Sequence, residues 1–115
     1  MRHILTIAAL CVTASAANAK LPPAEAQRIT DAIYRVEGGA KAKAPYGILS
    51  VRVSSLEHAR QIAYTTVQNN HDRWIKAGRP GEYLDFLADR YCPKSADPRG
   101  NKNWRANIRH FLGKK

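Results

Sequence analysis

Acidic residues are scarce in this chain: 9 Asp and Glu stand against 19 Lys and Arg in 115 residues, a formal charge of +10. So basic a chain suits a polyanionic partner, though the same charge also serves solubility. Cysteine is scarcer still. Of the two, Cys11 falls in an N-terminal leader described below, which leaves Cys92 alone and excludes an intramolecular disulfide. With no activating base beside it in sequence, Cys92 is expected as a buried thiol and not a nucleophile. His58, His71 and His110 fall on separate predicted elements, and His71-Asp72 is not a metal pattern such as H-E-x-x-H. No metal site or cofactor is therefore predicted. The chain also lacks a glycine-rich phosphate loop, internal repeats and low-complexity tracts. No apolar run reaches the ~20 residues of a membrane-spanning helix.

What is present begins with a leader. Met1-Arg2-His3 precedes an apolar run over residues 4–12, then small and polar residues lead to Ala17-Asn18-Ala19. That order predicts a secretory signal peptide over residues 1–19, cleaved after an A-x-A site, and export to the periplasm or beyond. The 96 residues from Lys20 onward suffice for one domain with a modest core. Arg2 is the only charged leader residue, so nearly all the basic excess stays with the domain. For an exported protein this points to cell-wall glycan, acidic wall polymer or another anionic envelope component, and not to nucleic acid. The chain is expected as a monomer.

Along the domain, Ile29, Ile33 and Val36 have helical spacing and predict a helix over residues 24–37, stopped by Gly38-Gly39. Leu49, Val51 and Val53 alternate with Ser50 and Arg52, which predicts a short strand over residues 46–53. Ser54 and Glu57 fit a capping box that opens a long helix to Lys76. A third helix is predicted over residues 82–91, ended by Cys92-Pro93. Asp97-Pro98-Arg99-Gly100 reads as a type I turn, with Asn103 capping a last helix that carries Trp104, Ile108, Phe111 and Leu112 on one face. The expected fold is mainly α with a small β element, an α+β domain over residues 20–115.

Glu37 is the residue of chemical interest. It is predicted in a last helical turn, where the negative end of the helix dipole opposes a further negative charge. A carboxylic acid that holds its proton is what general-acid catalysis requires. No acidic residue lies between Glu37 and Glu57, and Glu57 is already accounted for as a cap. Glu37 thus has no evident carboxylate partner.

Glu37-Gly38-Gly39 followed by Tyr46-Gly47-Ile48 resembles the lysozyme-like superfamily, above all its small bacterial and phage members. The tail from Phe86 through Arg90-Tyr91-Cys92-Pro93 to Asn103-Trp104 is similar to small exported proteins of that group. The resemblance covers most of residues 28–112. It implies a compact lysozyme-like domain, with the small β segment lining a sugar cleft and Glu37 as the catalytic glutamate. A lone acid fits a lytic transglycosylase, in which one glutamate serves as acid and then base while the sugar's 6-hydroxyl attacks; a muramidase is the hydrolytic counterpart. The resemblance also implies that Tyr91 positions Glu37, although its spacing with Leu84 and Leu87 equally fits a core residue. Tyr46, Gly47 and Ser50 are candidate cleft residues, through close backbone approach and sugar-bonding hydroxyls. Asn70, on the apolar face of the long helix, either bonds sugar or satisfies a neighbouring loop. The alternative from another class is a non-enzymatic cationic wall- or envelope-binding module.

Overall fold

The computed structural model describes residues 20–49 and 51–114; the predicted leader and Ser50 lie outside them. Proline opens the first helix, α1 (Pro23–Val36), where a missing N–H costs nothing. Ala26, Ile29, Ala32 and Ile33 form its buried stripe. Glu37 closes the helix with its N–H on Ile33 O at 2.9 Å, and Gly38 leaves it at φ 114°. Two short 3-10 turns, Gly39–Lys41 and Pro45–Gly47, lead on to α2 (Leu56–Lys76). Helices α3 (Tyr83–Tyr91) and α4 (Pro98–Phe111) complete the chain.

Among the described residues the predicted β element is not there. The described residues hold no strand, so the domain is all-α, and the mixed α+β, lysozyme-like expectation is overturned. Two causes are visible. Tyr46 turns the backbone left-handed at φ 60°, ψ 15°, which a strand cannot accommodate. Leu49 and Val51, the alternating apolar positions, are 86% and 51% exposed, so their pattern does not mark a buried face. An isolated extended segment has no ladder to join.

The four helices pack in a ring, α1 on α2, α2 on α3, α3 on α4 and α4 back on α1. Ala59 and Ala63 are fully buried on α2, small enough to let a neighbouring helix come close. Ile33, Val67, Leu87 and Ile108, one from each helix, fill the centre. The buried amide of Gln68 brackets Leu21, accepting from its N–H at 2.8 Å and donating to its carbonyl at 3.0 Å. Arg109 clamps α4 to α3, with Glu82 at 2.8 Å and Asp85 at 2.9 Å.

Two helix caps differ from the sequence reading, one by a single residue and one by six. Ser55, not Ser54, caps α2 by accepting from His58 N–H at 3.0 Å. His58 Nδ1 returns the favour to Ser54 N–H at 3.0 Å, the place Glu57 was expected to fill. Asp97 caps α4 by accepting from Gly100 N–H at 2.9 Å, with Pro98 as the first helical residue. Asp-Pro suits a helix start as well as a type I turn, and the helix wins because Asn101, Trp104 and Ile108 continue its buried face. No helix of the described residues is long and apolar enough to cross a membrane.

Candidate functional site

Glu37 lies where α1 ends, and both its carboxylate oxygens are placed by distant parts of the chain. Trp104 Nε1 donates to Oε2 at 2.9 Å from the middle of α4. Oε1 lies against Gly47, so close that a Cβ there would stand 2.6 Å from it and 2.7 Å from Cδ. Gly47 is therefore required twice over, for that approach and for its own φ of 69°. The half-buried carboxylate is held between an indole N–H and a bare stretch of backbone.

Tyr91 supports the indole. Its ring stacks on Trp104 with centroids 5.2 Å apart and planes 12° from parallel. Burial pushes the Tyr91 phenol well above the usual tyrosine range; nearby Arg90 opposes the shift and the Glu37 charge adds to it. The Cys92 thiol is also pushed up, first by burial and then by Asp97 and Glu37. Neither group can serve as a base at neutral pH, and Cys92 is not an activated nucleophile. Asn101 anchors the junction of α3 and α4, donating to Cys92 O at 2.7 Å and Asp89 Oδ1 at 3.2 Å while accepting from Arg105 at 2.9 Å.

A cleft of about 180 Å³ opens beside Gly47, lined by Gly47, Ile48, Leu49, Ile62, Thr66, Arg90 and Tyr91. No carboxylate is among those residues. The cleft is smaller than the ~300–1,000 Å³ of most ligand pockets, so a polymer crossing it would leave most of each unit in solvent.

The structure thus brings Glu37, Gly47 and Tyr91 together. Tyr46 precedes Gly47 but sends its buried ring the other way, 5.2 Å from Tyr34 and hydrogen-bonded to Arg60. Burial raises its phenol pKa, with Arg60 working against the shift. Asn70 is buried on α2, one turn beyond the cleft residue Thr66, and its Oδ1 meets no hydrogen-bond partner among the described residues. It lines neither this cleft nor the larger cavity discussed below. Ser50 lies outside the described residues.

Sequence reasoning missed Trp104, which it placed only in the core, and Asn101 altogether. The Trp104–Glu37 bond spans 67 positions, and no local pattern announces it. The one available signal was an indole on an apolar face, since a buried Trp N–H needs an acceptor. Among the described residues no group of three His, Cys, Asp or Glu is arranged to hold a metal ion. No family model, no curated protein and no solved structure matches this chain.

Proposed function

We propose that the protein cleaves the glycan strand of peptidoglycan, as a lytic transglycosylase or a muramidase, with Glu37 as its single acid and base. The observation that carries this reading is the double placement of the Glu37 carboxylate, by Trp104 Nε1 and by Gly47, a residue that itself lines a cleft. Fixing a carboxyl group in one orientation is what proton transfer to a bound oxygen demands. The sequence resemblance of Glu37-Gly38-Gly39 and Tyr46-Gly47-Ile48 to lysozyme-like proteins adds support.

In this mechanism the Glu37 carboxyl gives its proton to the glycosidic oxygen as the bond to the anomeric carbon breaks. The resulting carboxylate then takes a proton from the attacking hydroxyl. The cleft lining holds no carboxylate, so none stands there beside Glu37 to act as nucleophile or base. The sugar's own 6-hydroxyl is the attacking group that needs least help, and it closes a 1,6-anhydro ring; attack by water instead leaves a reducing end. Trp104 supplies a neutral hydrogen bond that the carboxylate accepts, and Tyr91 keeps the indole plane in place. Arg90, exposed at the cleft edge, offers a positive charge to an anionic substituent of the polymer. The chain's positive charge would gather the protein onto an anionic wall, an attraction that salt weakens.

Incubation with purified peptidoglycan, followed by mass spectrometry of the soluble products, tests the reading. Anhydro-muropeptides are expected. New reducing ends would assign a hydrolase on the same residues. Retention on the wall with no fragments released would overturn the enzyme and leave a cationic binding module.

A further inference from the structure

A second, larger cavity of about 720 Å³ borders the same loop, formed where Gly38, Gly39 and Tyr46 face α1, the start of α2 and the end of α4. Part of its wall is apolar: Tyr34 and Tyr46 form one aromatic pair, and Leu56 and Phe111 remain 54% and 39% exposed. A smaller hollow of about 210 Å³ continues it along α1 and shares Asp31, Arg35 and Phe111. Glu37 lines neither.

The charges of this groove are unequal in their commitments. Arg60 Nη1 donates to Asp31 Oδ1 at 2.8 Å, and the same guanidinium bonds the Tyr46 hydroxyl. Arg35, exposed in the last turn of α1, has no carboxylate within ion-pair distance among the described residues. Its guanidinium lies 5.3 Å from the centroid of the Phe111 ring, which keeps the charge over the groove. The groove therefore presents one uncommitted, forked donor beside open apolar side chains.

We propose that this groove receives the free carboxylate end of a short peptide whose last side chain is apolar. The carboxylate pairs with Arg35 in the bidentate geometry that guanidinium favours, and the apolar side chain enters between Leu56 and Phe111. The size lies within the range of ligand sites. Other occupants fit less well. A polyanion needs several uncommitted cations in a row, and the groove has one. An uncharged apolar ligand leaves Arg35 unanswered. A second copy of so basic a chain is repelled. This inference stands apart from the glycan reading, because it uses neither Glu37 nor Gly47, Tyr91 and Trp104, which place its carboxylate and line the narrow cleft.

The test titrates acetyl-Ala-Phe, as the free acid and as the C-terminal amide, into the protein while backbone amide signals are followed by NMR. The acid is expected to give saturable shifts at residues 34–40 and at Phe111, and the amide to bind roughly tenfold more weakly. Arg35→Gln, an exposed change that leaves the core intact, should erase the difference between the two peptides. Phe111→Ala should weaken both, and Arg99→Gln at the other end of α4 should weaken neither. Equal binding of acid and amide, acid–amide discrimination that survives Arg35→Gln, or no saturable shift at these residues would each overturn the proposal.

Discussion

Tyr46 and Gly47 are adjacent and both take a left-handed backbone, at φ 60° and φ 69°, yet they serve opposite purposes. Tyr46 turns inward, 3% exposed, and closes one wall of the broad groove where Arg35 waits. Gly47 presents no side chain, and that emptiness seats the Glu37 carboxylate beside the narrow cleft. A bulky residue in the left-handed region costs of order 1 kcal/mol or more, which the burial of the Tyr46 ring and its bond to Arg60 can offset. The strained Tyr46 thus stands one residue before Gly47, the glycine against which Glu37 is seated. One turn of chain separates a region built for shape and charge from one built around a single proton.

A single methyl group should separate the two regions, because only one of them tolerates it. Gly47→Ala places a Cβ 2.6 Å from Glu37 Oε1, so the carboxylate must move. A displacement on the scale of an ångström predicts roughly a hundredfold loss of glycan-cleaving rate. Gly39→Ala has comparable backbone strain, φ 60°, but its Cβ would meet only Tyr34 at an ordinary 3.9 Å. It should cost about 1–2 kcal/mol in denaturant melts and leave the cleavage rate within a factor of a few. Comparable rates for the two variants would remove Gly47 from the account.

Trp104→Phe comes next. It keeps a ring against Tyr91 but deletes the N–H that Glu37 Oε2 accepts. A hydrogen bond to a charged group is worth about 1.5–3 kcal/mol, so a fall in rate of tenfold or more is expected, with a displaced pH–rate profile. A purely packing role would leave that profile in place. Asn101→Ala tests the frame and not the chemistry. It strands Cys92 O and Asp89 and should lower stability by about 1–3 kcal/mol in urea unfolding, with little change in the rate per folded molecule.

The smallest effect at working pH is the alkaline limit. Burial raises the pKa of Tyr83 and Tyr91 above the ordinary 10.0. The folded state therefore holds these protons more tightly than the unfolded chain does. Their contribution is complete below pH 10.0 and is lost as the pH climbs past it. Alkaline unfolding should begin above pH 10.0, and Tyr83→Phe should make it less steep, at the cost of the 2.7 Å bond that the Tyr83 hydroxyl donates to Val67 O.

The helices and the end of α1 were legible because their signals are local. Apolar spacing marked the stripe of Ile29 and Ile33, and Gly38 marked the stop before which Glu37 sits. Gly47 was legible as a close backbone approach, although not the atom it approaches. The strand was misread because alternation at Leu49, Val51 and Val53 carries no information about whether a partner strand exists. Asp97-Pro98 was misread because one dipeptide serves two kinds of chain reversal, and only the buried face beyond it distinguishes them. The Trp104 bond to Glu37 and the stack of Tyr91 on Trp104 depend on how α4 crosses α1 and α3. That is a property of packing, beyond the reach of sequence spacing.

The proposed chemistry belongs to the Glu37 side chain, and Glu37→Gln alters it with the least disturbance. The amide keeps the size of the carboxyl group and can still accept from Trp104, so circular dichroism and thermal melting should match the native protein. Digestion of purified peptidoglycan, followed by mass spectrometry, should then show muropeptides released by the native protein and none by the variant. A variant that folds like the native protein and releases the same fragments would contradict the account, because the proton would be coming from somewhere else.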